Sequence, residues 1–315
     1  MIFLLVLLIL AAAVLLLTGT VYRIAFYSPN RTQNDDYAIA HTPQMNPLRE
    51  EITEMIRTLN AIGYEPVNIT SPDGLKLRGR YYRGNDGAPV VIGFHGYRGT
   101  PSRDFSGGTQ FYLGEGFHLL MIEERAHCGS EGHTITFGVK ERYDCLAWID
   151  YATERFGSDT PIVLAGISMG AATVLMASEL DLPANVKGIL ADAPFTSPKA
   201  IIRKVYGDVH VPVCLAYPFL WLGARLFGGF GLTDADAAEA VKHTKVPILL
   251  IHGEDDRFVP CDMGRQIAAA NPAMVELHTF PEAGHGLSFL VDRPRYERIV
   301  RDFFARVLRT EDAAV

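Results

Sequence analysis

Residues Ile162–Gly170 read Ile-Val-Leu-Ala-Gly-Ile-Ser-Met-Gly, and this stretch decides the fold. Its first four residues form a continuous apolar run, which is typical of a strand buried on both faces of a parallel sheet. The next five match the pattern G-x-S-x-G, and a helical pattern follows at once. Glycines on both sides of Ser168 permit a tight, strained turn that a β-carbon would obstruct. A strand–turn–helix of this kind presents Ser168 as a nucleophile and aims the N–H of Met169 at the same point.

Short apolar runs of the same kind recur along the chain. They alternate with helical patterns such as 142–156 and 170–180, which indicates crossover units and an open twisted sheet. An antiparallel lead-in is expected over 67–82, with its turn at Pro72-Asp73-Gly74. The sequence therefore predicts an α/β fold with a mostly parallel sheet and helices on both faces. The other strands are predicted at Val90–Phe94, Leu119–Ile122, Gly188–Leu190, Val246–Ile251 and Val275–Phe280.

A serine nucleophile needs a base, and the base needs an acid that fixes its tautomer. In this architecture the chain order is serine, then acid, then histidine. His285 lies between two glycines in a loop after a predicted strand, which suits an exposed imidazole, so we take it as the base. Three aspartates follow predicted strands and stay open as the acid, although such residues also commonly cap helices. In order of preference they are Asp256, Asp192 and Asp255.

An oxyanion hole needs a second backbone N–H besides that of Met169. The loop after Val90–Phe94 begins with His95, and Gly96 in that loop permits close approach of the backbone to a substrate. The N–H of Tyr97 is therefore predicted as the second donor. For His95 we prefer a structural role, propping this loop, over a catalytic one.

Residues 88–307 resemble the α/β-hydrolase superfamily. They match the motifs H-G-x, G-x-S-x-G, H-G-x-x-D and G-H-G in order, starting at His95, Gly166, His252 and Gly284. The H-G-x-x-D spacing selects Asp256 as the acid. The resemblance implies the α/β-hydrolase fold with a helical lid insertion, a Ser168–His285–Asp256 triad, and no metal or organic cofactor. Within the superfamily, the chain looks like the membrane-anchored bacterial hydrolases related to serine aminopeptidase-like and monoacylglycerol-lipase-like enzymes.

The segment Glu124–Gly132 resembles the loop that follows the fourth strand in this family. The family usually has glycine at the position of Cys128, where a buried and inert thiol is expected. His127, Cys128 and His133 fit no common metal-binding spacing, so no metal site is predicted. The four cysteines lie far apart without a C-x-x-C pair, which favours reduced thiols.

The N-terminal segment is predicted to anchor the chain in a membrane. Ile2–Leu17 is wholly apolar, and a helix of this length spans the hydrocarbon core of a bilayer, about 30 Å. The alternative is a cleaved signal peptide, with Thr18-Gly19-Thr20 as a small-residue site. Arginines follow the span and none precedes it, which favours a domain facing the cytoplasm. The predicted organisation is an anchor over 1–27, a polar tether over 28–44 and a hydrolase domain over 45–315.

A long excursion over 194–245 separates two predicted strands and is rich in apolar residues such as Trp221 and Phe227. In the family such an insertion forms a lid, so these residues are expected to wall the acyl or leaving-group pocket, or to pack the lid itself. A tethered enzyme with an apolar lid suggests substrates that partition into membranes, such as lipid esters.

The composition and charge of the chain limit its partners and its function. The 315 residues are 48% apolar and carry a formal net charge of −7 without a dense basic stripe, so nucleic acid is excluded as a partner. The predicted function is a serine hydrolase that cleaves carboxylic esters, such as lipid-like acyl esters or thioesters, with a small-molecule ester as its substrate. One alternative is an aminopeptidase-like enzyme, with Glu123, Glu124 or Asp192 holding the substrate amine. Another is a non-catalytic binding protein on the same fold.

Overall fold

Within residues 1–29, 35–208 and 212–309, which the computed structural model describes, eight strands form one sheet. Residues 30–34 of the predicted tether and 209–211 of the predicted lid lie outside these ranges. The strands are β1 (Glu65–Thr70), β2 (Lys76–Tyr82), β3 (Val90–Phe94), β4 (His118–Glu123), β5 (Ile162–Ile167), β6 (Val186–Asp192), β7 (Ile248–Gly253) and β8 (Val275–Phe280).

The order of the strands across the sheet is β1-β2-β4-β3-β5-β6-β7-β8. The first pair, β1 and β2, runs antiparallel, and β2 also pairs antiparallel with β4. All remaining neighbours pair in parallel. The predicted antiparallel lead-in is confirmed, and its turn closes with the N–H of Ser71 donating to the carbonyl of Leu75 at 2.8 Å. The predicted α/β class with a mostly parallel sheet is confirmed.

Helices pack on both faces of the sheet. Successive residues of a central strand point to opposite faces, so each strand contributes to two apolar clusters. Ile92 of β3 belongs to one cluster with Trp148, and its neighbour Val91 belongs to the other with Phe303. The helices are α1 (Ile2–Ala25), α2 (Arg49–Ala61), α3 (Pro101–Gly114), α4 (Glu141–Phe156), α5 (Met169–Ala177), α6 (Pro198–Asp208), α7 (Val213–Gly223), α8 (Ala237–Ala240), α9 (Cys261–Ala270), α10 (Ser288–Val291) and α11 (Arg293–Val307).

Helix α1 is long and apolar enough to cross a membrane, judged by its length and composition. Most of its side chains are exposed, but Thr18 and Tyr22 near its carboxyl end are buried. Helix α7 packs there so closely that a β-carbon at Gly223 would lie 3.1 Å from Cβ of Tyr22. Phe26, directly after α1, is fully buried in the main core. The end of α1 is therefore part of the packed domain.

The segment 38–45 crosses the surface of the domain. Ile39 is buried and packs with Ile52 of α2 in a small apolar cluster. The side-chain amide of Gln44 donates to the carbonyl of Asp255 at 3.1 Å. This part of the predicted tether thus lies against the loop that follows β7, at the edge where the parallel strands end.

Candidate active site

Ser168 occupies the sharp turn between β5 and α5. Its φ of 55° and ψ of −111° lie in a region that residues with side chains rarely adopt. A β-carbon at Gly170 would lie 2.0 Å from the carbonyl oxygen of Phe94, and one at Gly166 would lie 2.4 Å from the carbonyl carbon of Gly170. Both glycines are therefore required for the turn to form. The turn places the Ser168 hydroxyl above the carboxyl ends of the strands, where ligands bind in open α/β sheets.

The structure brings His285 and Asp256 to Ser168. Nε2 of His285 lies 2.9 Å from Oγ of Ser168, and Nδ1 lies 2.6 Å from Oδ2 of Asp256. A carboxylate only accepts hydrogen bonds, so Nδ1 carries the proton and Nε2 is left to accept from the serine hydroxyl. The side chain of Asp256 is fully buried, and Oδ1 accepts from the N–H groups of Phe258 and Val259.

Burial of Asp256 opposes its ionisation, but hydrogen bonds from His252 and His285 outweigh this and hold the pKa of Asp256 well below its usual range. The carboxylate is therefore charged at any pH near neutrality. A fixed negative charge beside Nδ1 can stabilise a protonated imidazole at His285.

The other two candidate acids do not contact His285. Asp255 is exposed. Asp192 is buried at the end of β6, where Oδ2 accepts from the hydroxyl of Tyr296 at 3.1 Å. Its other oxygen, Oδ1, has no hydrogen-bond partner among the described residues. Burial raises the pKa of Asp192 to about 6.

Replacing Asp192 is expected to change the pH dependence of stability. A carboxyl whose pKa is raised by folding stabilises the folded state fully below about pH 4 and loses that contribution as the pH rises through 6. We therefore compare the change in the free energy of unfolding that Asp192→Asn causes at pH 8 with the change that it causes at pH 4. We expect the change at pH 8 to be the more stabilising of the two by roughly 1–3 kcal/mol. Thermal unfolding of the full chain in detergent micelles at both pH values measures this difference. Asp255→Asn, at an exposed position, is the control, and an effect of Asp192→Asn that is equal at both pH values would refute the expectation.

The loop after β3, residues 95–99, lies beside Ser168. A β-carbon at Gly96 would lie 3.4 Å from Cβ of Ser168. The N–H of Tyr97 has no hydrogen-bond partner among the described residues. The N–H of Met169, at the first position of α5, lacks an intrahelical partner by geometry. Both N–H groups are thus available to an oxygen bound near Ser168.

His95 lies beneath this loop and is fully buried. Its Nδ1 donates to the carbonyl of Gly96 at 2.9 Å, and Nε2 accepts from the N–H of Glu124 at 3.1 Å. Burial and the neighbouring His127 lower the pKa of His95 to about 3, so the ring is neutral. Both ring nitrogens are used in holding backbone, which is the structural arrangement expected from the sequence.

Of the three acidic side chains predicted to hold a substrate amine, two lie away from the cavity beside Ser168. Glu123 forms an ion pair with Arg80 at 3.3 Å and accepts from the N–H of Gly129. Glu124 is buried, and burial raises its pKa well above the usual range. Neither lines the cavity beside Ser168, whereas Asp192 does.

Cys128, in the loop after β4, is buried, and burial raises the pKa of its thiol to about 12. Its φ of 46° lies in the left-handed region. Glycine adopts this conformation at the lowest cost, which fits the glycine that the family resemblance implies at this position. The thiol is inert under physiological conditions, as expected from the sequence.

A cavity of about 700 Å³ opens beside Ser168 and His285. Its walls come from the segment 38–45, from α2 and α3, and from the loop and helix that follow His285. Most of this lining is apolar, and its large side chains include Ile39, Met45, Ile52, Met55, Phe105 and Phe289. The cavity is therefore suited to an apolar group attached to the carbon that Ser168 could attack.

The described residues of the insertion 194–245 do not form these walls. Among its described residues none lines the cavity, so the prediction that it walls the acyl pocket is wrong. Helix α7 and the π-helical turn Ala224–Gly228 pack against the end of α1 instead, where the ring of Phe227 lies 5.4 Å from that of Tyr22. An apolar sequence pattern does not specify the partner of a helix: here Gly223 and Phe227 contact α1, whereas Leu215 and Trp221 are exposed.

The residues that do line the cavity could be predicted only in part from the sequence. Ile52, Ile56 and Leu59 recur at helical spacing in α2 and indicate one buried face, and of these three Ile52 lines the cavity. Ile39, in contrast, follows Tyr37 and Ala38 in a short apolar run between polar residues, and no helical or strand period there indicates that it is buried.

The sheet order, the serine on the β5–α5 turn and the histidine and aspartate beside it define an α/β-hydrolase of the serine hydrolase class. Two family models match the chain. The model of the prolyl oligopeptidase family matches residues 131–311, and that of the X-Pro dipeptidyl-peptidase (S15 family) matches residues 15–212. Each model covers more than half of the chain. The protein therefore belongs to the α/β-hydrolases of these peptidase families.

Individual relatives include lipases. YqkD of Bacillus subtilis is 21% identical over 75% of this chain and 77% of its own length. Human ABHD12B is 27% identical over 70% of this chain and 62% of its own length. The lysophosphatidylserine lipase ABHD12 of Macaca fascicularis is 27% identical over 69% of this chain. This chain spans only 56% of that lipase, which is therefore the longer protein.

Solved structures of similar fold include an esterase. The Pyrococcus furiosus esterase Pf2001 superposes with a TM-score of 0.64 at 25% identity, over 80% of this chain and 94% of its own. The acylaminoacyl peptidase of Pyrococcus horikoshii superposes with a TM-score of 0.56 at 17% identity, over 80% of this chain and 43% of its own. The second likeness is one of fold alone. The protein is thus a hydrolase that matches two peptidase family models and is similar to an esterase and a lipase.

Proposed function

We propose that the protein is a membrane-anchored serine hydrolase that cleaves carboxylic esters with an apolar acyl group. The observation that carries this proposal is the hydrogen-bonded series from Ser168 through His285 to Asp256, opening on an apolar cavity. In this proposal Ser168 is the nucleophile, His285 the general base and Asp256 the group that orients and stabilises the imidazolium.

The reaction proceeds in two halves. Oγ of Ser168 attacks the ester carbonyl while Nε2 of His285 takes the hydroxyl proton, and the oxygen that becomes negative binds the N–H groups of Tyr97 and Met169. The C–O bond then breaks, and the alcohol leaves with the proton from Nε2. Water, deprotonated by the same nitrogen, attacks the acyl-enzyme and releases the acid with regeneration of Ser168.

The substrate class rests on the cavity and on the relatives. The apolar lining favours an acyl chain over a charged group, because burying a charge without a partner is costly. Among the relatives, ABHD12 is named a lysophosphatidylserine lipase and Pf2001 an esterase, which supports ester over amide substrates. The peptidase family models favour the alternative of amide hydrolysis, for which Asp192 is the one proposed amine ligand that lines the cavity.

The membrane attachment is part of the proposal. Helix α1 has the length and composition of a single span, and Arg23 in its last turn is followed by Arg49 at the start of the domain. Positive charge on this side favours a cytoplasmic domain. The proposed units are the anchor over 1–27, whose last residues pack against the domain, the connecting segment over 28–44 and the hydrolase domain with its insertion over 45–315.

Narrowing the cavity tests the acyl assignment. Met55 of α2 lines the cavity, so we expect Met55→Trp to shift the preferred p-nitrophenyl ester towards shorter chains by about two to four carbons. The measurement is kcat/KM for esters from two to sixteen carbons with the full chain in detergent micelles. Met263→Trp, on α9 and packed against the main core away from the cavity, is the matched control. A profile that is flat, or unchanged by Met55→Trp, would contradict an acyl chain in this cavity, and faster cleavage of aminoacyl anilides would favour the peptidase.

A further inference from the structure

The carboxyl end of α1 is capped by two consecutive residues of the loop after β3. The hydroxyl of Tyr97 donates to the carbonyl of Ala25 at 2.8 Å. The guanidinium of Arg98 donates to the carbonyl of Ile24 at 2.9 Å and to that of Tyr27 at 3.4 Å. The last carbonyls of a helix have no intrahelical partner, and a cation near them also interacts favourably with the helix dipole. The loop beside Ser168 is thereby bound to the end of the membrane helix.

Aromatic packing reinforces this connection. The ring of Tyr97 stacks on Phe137 with centroids 5.0 Å apart, and Phe137 meets Phe26 edge-on at 5.8 Å. Phe26 is fully buried and in turn meets Phe230, beyond α7, edge-on at 5.3 Å. Burial raises the pKa of Tyr97, so its hydroxyl stays protonated and able to donate. Contact is therefore continuous from the residue after α1 to the side chain of Tyr97.

The backbone of this loop is held from two directions. On the side of the domain, the N–H of Gly96 donates to Asp104 at 2.7 Å and that of Arg98 donates to Nε2 of His127 at 3.0 Å. Arg98 has a φ of 51°, which is costly for a residue with a side chain and persists only where the surroundings enforce it. On the other side, the restraints are the side-chain bonds from Tyr97 and Arg98 to α1.

We infer that the end of α1, held by the side chains of Tyr97 and Arg98, positions the Tyr97 N–H for the oxyanion. The inference rests on the proposed function, which gives this N–H its role. Tyr97 and Arg98 act through their side chains as positioning residues, and the membrane helix is part of the catalytic framework as well as an attachment. Misplacing an oxyanion donor weakens binding of the transition state more than binding of the substrate, so the effect falls on kcat.

The test removes the side-chain bonds and keeps the backbone N–H. Tyr97→Phe retains the ring that stacks on Phe137, and Arg98→Met removes the guanidinium. For the double variant, as full chain in detergent micelles, we expect kcat for p-nitrophenyl butyrate to fall about 10-fold with KM unchanged. This is smaller than the 10²–10³-fold loss typical when an oxyanion donor is deleted. An alkylboronic acid forms a tetrahedral adduct with an active serine, and its inhibition constant is expected to rise by the same factor.

Tyr22→Phe is the matched control. It deletes another hydroxyl contact between the end of α1 and the domain, the 2.6 Å bond between Tyr22 and Thr134, without touching the loop. We expect kcat and the boronic acid inhibition constant of this variant to equal those of the wild type. A loss of the same size in Tyr22→Phe would mean that general packing, and not the loop, is responsible, and would overturn the inference.

Two further results distinguish a failure of the positioning role from a failure of the proposed function. Ser168→Ala, assayed alongside, must be inactive if the proposed function holds. With Ser168→Ala inactive, a double variant whose kcat and inhibition constant match the wild type overturns the positioning role alone. A lower kcat with an unchanged inhibition constant also overturns it, because that pattern reports fewer folded molecules. The single variant Tyr97→Phe, with about a threefold effect expected, provides the test if the double variant does not fold.

Discussion

Ser168→Ala is expected to lower kcat for ester hydrolysis by about 10⁵-fold or more, with little change in KM. The change removes Oγ, which lies 2.9 Å from Nε2 of His285, and leaves the Met169 N–H and the cavity intact. Without the hydroxyl no acyl-enzyme forms, and the remaining rate is that of water attacking an ester held near the oxyanion donors. The measurement is steady-state turnover of p-nitrophenyl esters by the full chain in detergent micelles.

Ser106→Ala is the matched control for this prediction. Ser106 of α3 also lines the cavity and is buried, but no hydrogen bond connects it to His285. We expect its activity to stay within about threefold of the wild type. If Ser168→Ala retained more than a tenth of the wild-type turnover, or if Ser106→Ala were the inactive variant, Ser168 would not be the nucleophile.

Asp256→Asn is expected to lower kcat by about 10⁴-fold. The carboxylate accepts the Nδ1–H of His285 at 2.6 Å and so keeps Nε2 free for the serine proton. An amide at this position can donate to Nδ1 instead, which places the imidazole proton on Nε2, where it cannot serve as a base. The loss is therefore expected in kcat over the whole pH range of the enzyme, since the carboxylate is ionised throughout that range in the wild type.

Two neighbouring carboxylates provide the comparison. Asp255→Asn changes an exposed residue adjacent in sequence, and Asp192→Asn changes the buried carboxylate at the end of β6. We expect both to retain at least a third of the wild-type kcat on esters. The reverse result, with Asp192→Asn inactive and Asp256→Asn active, would identify Asp192 as the acid and refute the assignment made from the H-G-x-x-D spacing.

Local chemistry explains which features could be predicted from the sequence. The strand over Val275–Phe280 was predicted with the bounds that the structure has, because its residues and its flanking turn residues are local signals. Gly166 and Gly170 flank a turn in which a β-carbon would clash with backbone atoms. The two glycines of the motif are therefore required by the packing of the turn, and the motif predicts that turn from the sequence. Ser168, His285 and Asp256 each follow a predicted strand, and because the carboxyl ends of parallel strands meet at one edge of the sheet, the sequence predicts that they lie together.

Features that depend on long-range docking could not be predicted in this way. The apolar residues of the insertion predict a buried surface, but only the tertiary structure shows that Gly223 and Phe227 contact Tyr22 of α1. Other apolar side chains there, such as Leu215 and Trp221, are exposed. The hydrogen bond from Tyr97 to Ala25 joins residues 72 positions apart, and neither residue type marks the contact. The apolar cluster around Ile39 shows that a segment of tether-like composition can form the wall of a cavity.

The central claim is that Ser168 forms a covalent acyl-enzyme, and trapping that species tests it most directly. The full chain in detergent micelles is mixed with p-nitrophenyl octanoate, quenched with acid within the first turnover and digested for mass spectrometry, with His285→Ala and Ser168→Ala treated in parallel. We expect one octanoyl group per chain, on the peptide containing Ser168, and none in either variant. An octanoyl group on another residue, or ester turnover in Ser168→Ala at the wild-type rate, would contradict the account.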